Sequence, residues 1–302
     1  MTSRRSYKVK CPADRLDRYL TAELDQLSRS QVQKLIEAGA VTVNGERPKA
    51  SASLRIGDRV TVVLQDDDEE ALRPQEIPLS VVYSDDAIAV IDKPVGLVVH
   101  PAPGHPDGTL VNALLYRFPQ LTRGAWNRKR PGIVHRIDRE TSGLLVVALD
   151  VAAAKALQGQ FKRREVEKRY LTLVWGHLEP KRAAIESPIA RDPRDRKRMA
   201  VHPDGRYART EYRVLQLLRD ATLAEVDLLT GRTHQIRVHM AAIGHPVLGD
   251  GGYGRGASAD MAPRQMLHAA ELGFCHPRSG EALRFHSDPP RDFQEVLERL
   301  TD

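Results

Sequence analysis

His135-Arg136-Ile137-Asp138-Arg139-Glu140-Thr141-Ser142-Gly143 runs directly into the apolar run Leu144-Leu145-Val146-Val147-Ala148-Leu149. The apolar half reads as a strand, with the charged half at its entrance. That entrance sets one carboxylate between two arginines, beside a hydroxyl pair and a glycine. Nearby positive charge favours the charged form of an acid. Asp138 therefore reads as a carboxylate able to act as nucleophile or base without a metal. The same residues also fit an aspartate that only bonds its own backbone in an Asx turn, with the arginines pointing to solvent. Both readings stay open on this stretch alone.

Around it lie 302 residues, 41% of them hydrophobic, enough for two domains and a sizeable core. No apolar run approaches the roughly 18 residues a membrane span needs. The N-terminus, Met1-Thr2-Ser3-Arg4-Arg5-Ser6-Tyr7-Lys8, is positive but has no apolar segment after it. It does not read as a secretory signal, and a cytoplasmic protein is expected. Cys11 and Cys275 stand at opposite ends without Cys-x-x-Cys spacing, which argues against a disulfide framework or a cysteine zinc site; both read as free thiols. A net charge of +6 favours polyanions as partners, nucleic acid first.

The charge is uneven. Residues 1–64 carry 12 Lys and Arg against seven acids, residues 65–79 one Arg against six acids, and the remainder 33 against 27. This divides the chain into a basic module (1–64), an acidic, proline-punctuated linker (65–79) and a larger basic module (80–302). In the first, Ser28-Arg29-Ser30-Gln31-Val32-Gln33 offers overlapping capping boxes for a short helix through Val32, Leu35 and Ile36, stopped at Gly39. Val41-Thr42-Val43, the turn pair Asn44-Gly45 and Val60-Thr61-Val62-Val63-Leu64 read as short strands with hairpin signals. Arg15, Arg18, Arg29 and Lys34 are expected on one helical surface, either solvated or facing RNA.

The second module alternates strand and helix patterns and is expected to be an α+β domain. Val81-Val82-Tyr83, Ile88-Ala89-Val90-Ile91, Tyr170-Leu171-Thr172-Leu173-Val174-Trp175 and the alternation of Ala224, Val226 and Leu228 read as strands. Asp150 can cap a helix over 152–161. Near the end of the last of these strands stands Thr230-Gly231-Arg232-Thr233-His234-Gln235-Ile236-Arg237-Val238-His239. Thr233 is the expected cap of a helix running to Gly244, a possible wall for an anionic site.

The segment around Asp138 closely resembles the catalytic signature of the RluA-type pseudouridine synthases. Further motifs agree in order. Asp92-Lys93-Pro94-Val95-Gly96 with Val99-His100-Pro101 looks like the first motif of that family, Lys168-Arg169-Tyr170 like its aromatic motif, and Gly231 through His239 like its arginine motif. His245-Pro246-Val247-Leu248-Gly249-Asp250, Tyr253-Gly254 and Leu267-His268-Ala269 complete the series. Ile137 departs from it, since leucine is commoner there, but the exchange is apolar and similar in size. In the first module Arg15-Leu16-Asp17-Arg18-Tyr19-Leu20, Ser28-Arg29-Ser30, Lys34-Leu35-Ile36, Gly39, Val43-Asn44-Gly45 and Gly57-Asp58 resemble the alpha-L RNA-binding module of a small-subunit ribosomal protein. Together the two point to the RluD-like branch.

The resemblance implies a catalytic domain of mixed, mainly antiparallel sheets with peripheral helices and a central RNA-binding cleft. It implies that uridine in RNA, most simply in large-subunit ribosomal RNA, is isomerised to pseudouridine without cofactor or metal. Asp138 is then the essential carboxylate, either attacking covalently or abstracting a ribose proton. Tyr170 stacks on the uracil and can assist proton removal, Arg237 ion-pairs with Asp138, and Arg136 fills the gap left by a flipped base. His135, Arg139, Thr141, Lys168, Arg232, His234 and Gln235 line the substrate, while Arg15, Arg18, Arg29 and Lys34 hold RNA phosphates. Basic runs at 123–130, 162–169 and 191–198 are further candidate grips.

Other signals are weaker. Gly249-Asp250-Gly251-Gly252-Tyr253-Gly254 has dinucleotide-type glycine spacing without the flanking strand and helix. His234 and His239 lack metal-ligand spacing, and the zinc-deaminase signature is absent. Ser142 lacks the glycines of a nucleophile elbow. A tRNA-directed synthase and a non-catalytic ribosome-assembly factor are the alternatives, and a monomer is the default expectation.

Overall fold

The structure, a computed structural model, describes residues 2–24, 27, 29–65, 72–102, 104–122, 126, 130–196 and 198–301. The chain divides into two compact units, Met1–Ala71 and Leu72–Asp302.

In the first unit, β1 (Thr2–Lys8), β2 (Val41–Val43) and β3 (Arg59–Gln65) make an antiparallel sheet in the order β1-β3-β2, joined by α1 (Leu16–Glu23) and α2 (Arg29–Glu37). Leu16, Leu20, Val32 and Ile36 of the helices close a core with Val41, Leu54, Val60 and Val62. Gly39 ends α2 at φ 75°, and Asn44 and Gly45 turn the chain with φ of 53° and 92°. That turn closes a tight antiparallel bridge, Val43 and Glu46 exchanging N–H···O bonds at 2.9 and 3.0 Å, and β2 and β3 pair across the longer loop that contains it. The cap expected at Ser28 lies outside the described residues.

The four cations expected on one surface are divided between two helices. Arg15 precedes α1, Arg18 lies in it, and Arg29 and Lys34 belong to α2. Arg15 and Arg29 turn onto the buried Asp17, whose carboxylate accepts from Arg15 Nε and Nη2 at 3.0 Å, Arg29 Nη2 at 2.9 Å and Gln33 Nε2 at 2.7 Å. The Arg15 bond, which outweighs the opposing effect of burial, holds Asp17 well below the usual carboxylate range. Arg18 and Lys34 remain exposed.

The second unit contains β4 (Ser80–Ser84), β5 (Ile88–Lys93), α3 (Leu110–Arg117), β6 (Ser142–Ala148), α4 (Val151–Arg163), β7 (Glu167–Trp175) and β8 (Arg182–Glu186). There follow β9 (Ile189–Arg191), β10 (Met199–Val201), β11 (Arg209–Leu217), β12 (Ala221–Leu228), α5 (Gln235–Ala242), α6 (Ala257–Asp260), β13 (Leu267–Cys275), β14 (Ala282–His286) and α7 (Arg291–Thr301). Nine strands form one sheet in the order β4-β5-β6-β13-β7-β12-β11-β8, with β14 also on β13, while β9 and β10 pair separately. Every pair in the large sheet is antiparallel except β6 with β13. This is the α+β architecture expected of the sequence.

The apolar run organises this unit. All seven residues of β6 are buried. Side chains alternate across a strand, so Leu145 and Val147 pack with Leu110 and Leu114 of α3, while Leu144, Val146 and Ala148 pack with Ala153 and Leu157 of α4. Each such aliphatic burial contributes about 1.5–3 kcal/mol. A one-residue slip would exchange the two faces, which fixes the register. Asp150 caps α4 as expected, accepting from the Ala153 N–H at 2.8 Å.

Gly143 explains how β6 meets β13. The two strands pair only at His268 with Ser142 and Ala269 with Gly143, and the rest of that edge of β13 is taken by β14. Gly143 has φ 107°, and a Cβ there would lie 2.3 Å from the Ala269 carbonyl oxygen. Any side chain would push β6 away and displace the loop before it.

Of the expected linker, residues 66–71 lie outside those described. Leu72, Ile77 and Leu79 pack against the core around α3, and Asn112 Nδ2 donates to the Arg73 carbonyl at 2.9 Å. Among the described residues, no helix is long and apolar enough to cross a membrane.

Candidate active site

Asp138 stands in the loop just ahead of β6. The Thr141 N–H closes that loop on the Asp138 carbonyl at 3.1 Å, and the Gly96 N–H donates to the Arg139 carbonyl at 3.0 Å. Lys93, fully buried at the end of β5, donates to the Pro94 and Arg139 carbonyls at 2.7 and 3.0 Å. Burial pulls its ammonium down to about 7, against the opposing charge of Glu140. Arg264, held by Asp292 at 2.6 and 2.9 Å, donates to the Glu140 carbonyl at 3.1 Å. The backbone just after Asp138 is thus gripped by two buried basic side chains.

The opposite wall is α5. Arg237 donates to Asp250 through Nε at 2.7 Å and Nη2 at 2.8 Å, and to Asp138 Oδ2 through Nη1 at 3.0 Å. Burial works against its charge, but the two carboxylates outweigh that and raise it above the ordinary guanidinium value. Asp250 is set by its own loop, since its Oδ1 accepts from the Gly252 and Tyr253 N–H groups at 2.9 and 3.1 Å. The loop needs Gly249, where φ is 73° and a Cβ would fall 1.9 Å from the Arg264 carbonyl oxygen. The glycine spacing set aside as a dinucleotide signal has this structural use.

His234 lies between these groups. Its Nδ1 is 2.8 Å from Tyr253 Oη, and its Nε2 is 3.9 Å from Asp138 Oδ2. Tyr253 Oη accepts from the Met199 N–H at 2.9 Å, so its own proton is available to His234 Nδ1. Burial lowers the pKa of His234 despite Asp138. The neutral ring so assigned carries its proton on Nε2, facing the carboxylate. His234 takes a left-handed conformation, φ 57°, and no side chain caps α5. The cap expected at Thr233 is therefore corrected: the chain enters the helix through His234.

Tyr170 lies on β7 in the core beneath the loop, packed with Ile137, Val226, Ile236, Leu267 and Ala269. Its register partners are Val226 on β12 and Ala269 on β13. Burial, then the charge of Asp138, pushes its phenol above the ordinary tyrosine value.

The other expected substrate residues separate into two groups. His135 accepts from the Val146 N–H at 3.0 Å and stacks on Phe161 of α4 at 4.6 Å. Burial pulls its pKa down to about 3. Thr141 accepts from Gln265 at 2.6 Å; Gln235 accepts from Thr230 at 2.7 Å and donates to the Arg209 carbonyl at 2.9 Å. These three spend their polar atoms inside the protein. Arg136 and Arg139 are exposed, the latter paired with Glu140 at 2.9 Å. Lys168, pulled by burial to about 8, lies 5.8 Å from the centre of the Phe161 ring, and Arg232 donates to the Tyr207 carbonyl at 3.0 Å. Among the described residues no three His, Cys, Asp or Glu side chains are grouped to hold a metal ion.

Residues 87–242, which contain Asp138, Tyr170 and Arg237, match the family described as RNA pseudouridylate synthase. The chain belongs to the pseudouridine synthase family. Its members are isomerases of uridine in RNA. Residues 14–60 match the S4 domain. An uncharacterized RNA pseudouridine synthase of Chloroflexus aurantiacus is 52% identical over 96% of this chain and 91% of its own length. A protein of Xanthomonas campestris named ribosomal large subunit pseudouridine synthase D is 43% identical over 95% of this chain and 89% of its own. The solved structure of human RNA pseudouridylate synthase domain containing 1 aligns with a TM-score of 0.59 and 29% identity, over 75% of this chain and 96% of that one.

Three synthase residues were not singled out from the sequence. Asp250, Tyr253 and Lys93 all lie inside motifs that resemble the family, but spacing gives no sign that they fix Arg237, His234 and the Asp138 loop.

Proposed function

We propose that the protein isomerises uridine to pseudouridine in large-subunit ribosomal RNA, with Asp138 as the catalytic carboxylate. The observation that carries the reading is the Asp138–Arg237–Asp250 arrangement above the buried Tyr170. The RNA target rests on the relatives named for the large ribosomal subunit and on the S4 domain.

In this reaction the bond from ribose carbon 1′ to uracil nitrogen 1 breaks, the base turns, and carbon 1′ bonds to carbon 5. Carbon 5 loses a proton and nitrogen 1 gains one, so atoms balance with no redox partner. Asp138 either attacks the nucleotide or takes a ribose proton, and Arg237 aims it. Stacked RNA hides the glycosidic bond, so the nucleotide flips out at a cost of about a few kcal/mol. Arg136, exposed and without an ion pair among the described residues, fills the gap with a planar cation. Tyr170 stacks on the uracil as a neutral phenol, because its raised pKa leaves little phenolate at neutral pH. This narrows its expected part in proton removal.

The test is a pseudouridine map of total RNA from cells with and without the gene, and with Asp138→Asn. Loss of particular sites in large-subunit RNA is expected in both altered strains. An unchanged map overturns the proposal, and loss confined to tRNA moves the substrate there.

A further inference from the structure

Tyr207, in the segment between β10 and β11, is 42% exposed. The Arg164 guanidinium lies 5.3 Å from the centre of its ring, Arg232 Nε donates to its carbonyl at 3.0 Å, and the exposed Arg206 is its neighbour in the chain. The guanidiniums of Arg164 and Arg232 thus meet at Tyr207, and that of Arg206 lies near enough to Arg232 to oppose its charge.

Other arginines of this sheet face acids. Arg169 pairs with Asp227 and Glu271 at 3.1 Å, Arg209 with Glu211 at 2.6 Å, and Arg213 with Glu225 at 2.9 Å. Among the described residues, none of Arg164, Arg206 and Arg232 has such a partner. Burial, then the charges of Arg206 and Arg164, lowers the pKa of Arg232, so the three repel one another. Arg164 is also held at φ 63°, a left-handed conformation uncommon for a residue with a side chain. A gathering of planar cations without acids fits an anion with several acceptor oxygens. Arg232 precedes by two residues His234, whose Nε2 faces Asp138.

We propose that Arg164, Arg206 and Arg232, arranged around Tyr207, form a seat for a backbone phosphate of the RNA strand beside the flipped nucleotide. The proposal rests on the reading of this chain as an enzyme acting on RNA and adds where that strand is held. A phosphate contact releases a counterion, so its loss reduces the salt dependence of binding by about one unit of slope in log K against log salt.

The test measures binding of an RNA fragment that the wild type modifies, at several salt concentrations. The proteins are the wild type, Arg164→Gln/Arg206→Gln and, as control, Arg213→Gln. The double variant is expected to bind about tenfold more weakly near 0.15 M salt with a slope smaller by about one, while the control keeps the wild-type slope. A wild-type slope in the double variant overturns the phosphate seat. If the double variant has a lowered Tm, Arg206→Gln alone decides, because that side chain is exposed, and an unchanged slope there also overturns it. Failure of the enzymatic reading looks different: the wild type would form no pseudouridine in any RNA offered.

Discussion

Asp250 holds Arg237 with both carboxylate oxygens, at 2.7 and 2.8 Å, which leaves Nη1 alone to meet Asp138 at 3.0 Å. A guanidinium fixed on two of its nitrogens has its plane set, so its remaining N–H groups point in fixed directions. Asp250→Asn keeps the shape but weakens that clamp. It is expected to lower kcat about 10- to 100-fold, with KM for RNA within about threefold of wild type. A wild-type kcat would show that Asp250 only supports the fold.

Tyr253→Phe removes the hydroxyl between the Met199 N–H and His234 Nδ1. A lost hydrogen bond of about 1.4 kcal/mol corresponds to a tenfold slower step. Donation from the hydroxyl to Nδ1 stabilises the neutral ring, so its loss withdraws a bond that favours that form. An acid limb of the pH–rate profile set by His234 should move to higher pH, and an unmoved limb would assign that limb to another group.

Tyr170→Phe preserves the ring and tests the hydroxyl. RNA affinity should stay within about twofold, because base stacking needs only the π-face. Tyr170→Ala should lose about 1–3 kcal/mol of that stacking. Since burial raises the phenol above its ordinary 10.0, wild type and Phe variant should show the same pH–rate curve between pH 6 and about 9. An inflection present only in the wild type would assign the phenol a titrating role.

Asp17 makes the first unit sensitive to acid. Its folded pKa is depressed, chiefly by the Arg15 bond, so its contribution is complete above the unfolded value near 3.8 and is lost as pH falls below it. Thermal unfolding followed from pH 7 to about pH 2 should show this loss, beginning below about 3.8, in the wild type and little of it in Asp17→Asn. The variant should already be less stable at pH 7, because Arg15 and Arg29 lose the charge of the carboxylate they share.

Lys93 has the same sign at higher pH, because its folded pKa is also depressed. The unfolded chain keeps this proton up to about 10.5 and the folded protein releases it near 7, so the unfolded state binds more protons in between and stability rises with pH there. Lys93→Met should flatten the rise between pH 7 and about 10. A rise of the same size in the variant would assign it to other groups.

Where neighbours in sequence are also neighbours in space, the chain was readable. The strand at 144–149, the Asp150 cap and the Gly39 stop all follow from local periodicity and capping. So does the presence of a helix that starts within the 230–239 segment, although the choice of Thr233 as its cap failed because His234 adopts a left-handed conformation that no pattern announces. The polar strand Thr2–Lys8 escaped because backbone pairing with β3, not an apolar pattern, makes it a strand. Asp17 and Asp250 escaped because a carboxylate's partners, here Arg29 and Arg237, are set by tertiary folding. His135 looked like a substrate residue by its place beside Asp138, but one step along the chain turns its ring into the packing of β6 against α4.

The complete burial of β6 also bears on time. A strand covered on both faces opens only when much of its unit opens with it, so its amides belong among the last to exchange with solvent. Asp138 sits four residues ahead of that strand, and the exposed arginines lie on segments with far less cover. Hydrogen exchange should therefore find slow amides along β6 and fast ones around Arg206 and Tyr207, a stationary carboxylate around which the parts that hold RNA can rearrange.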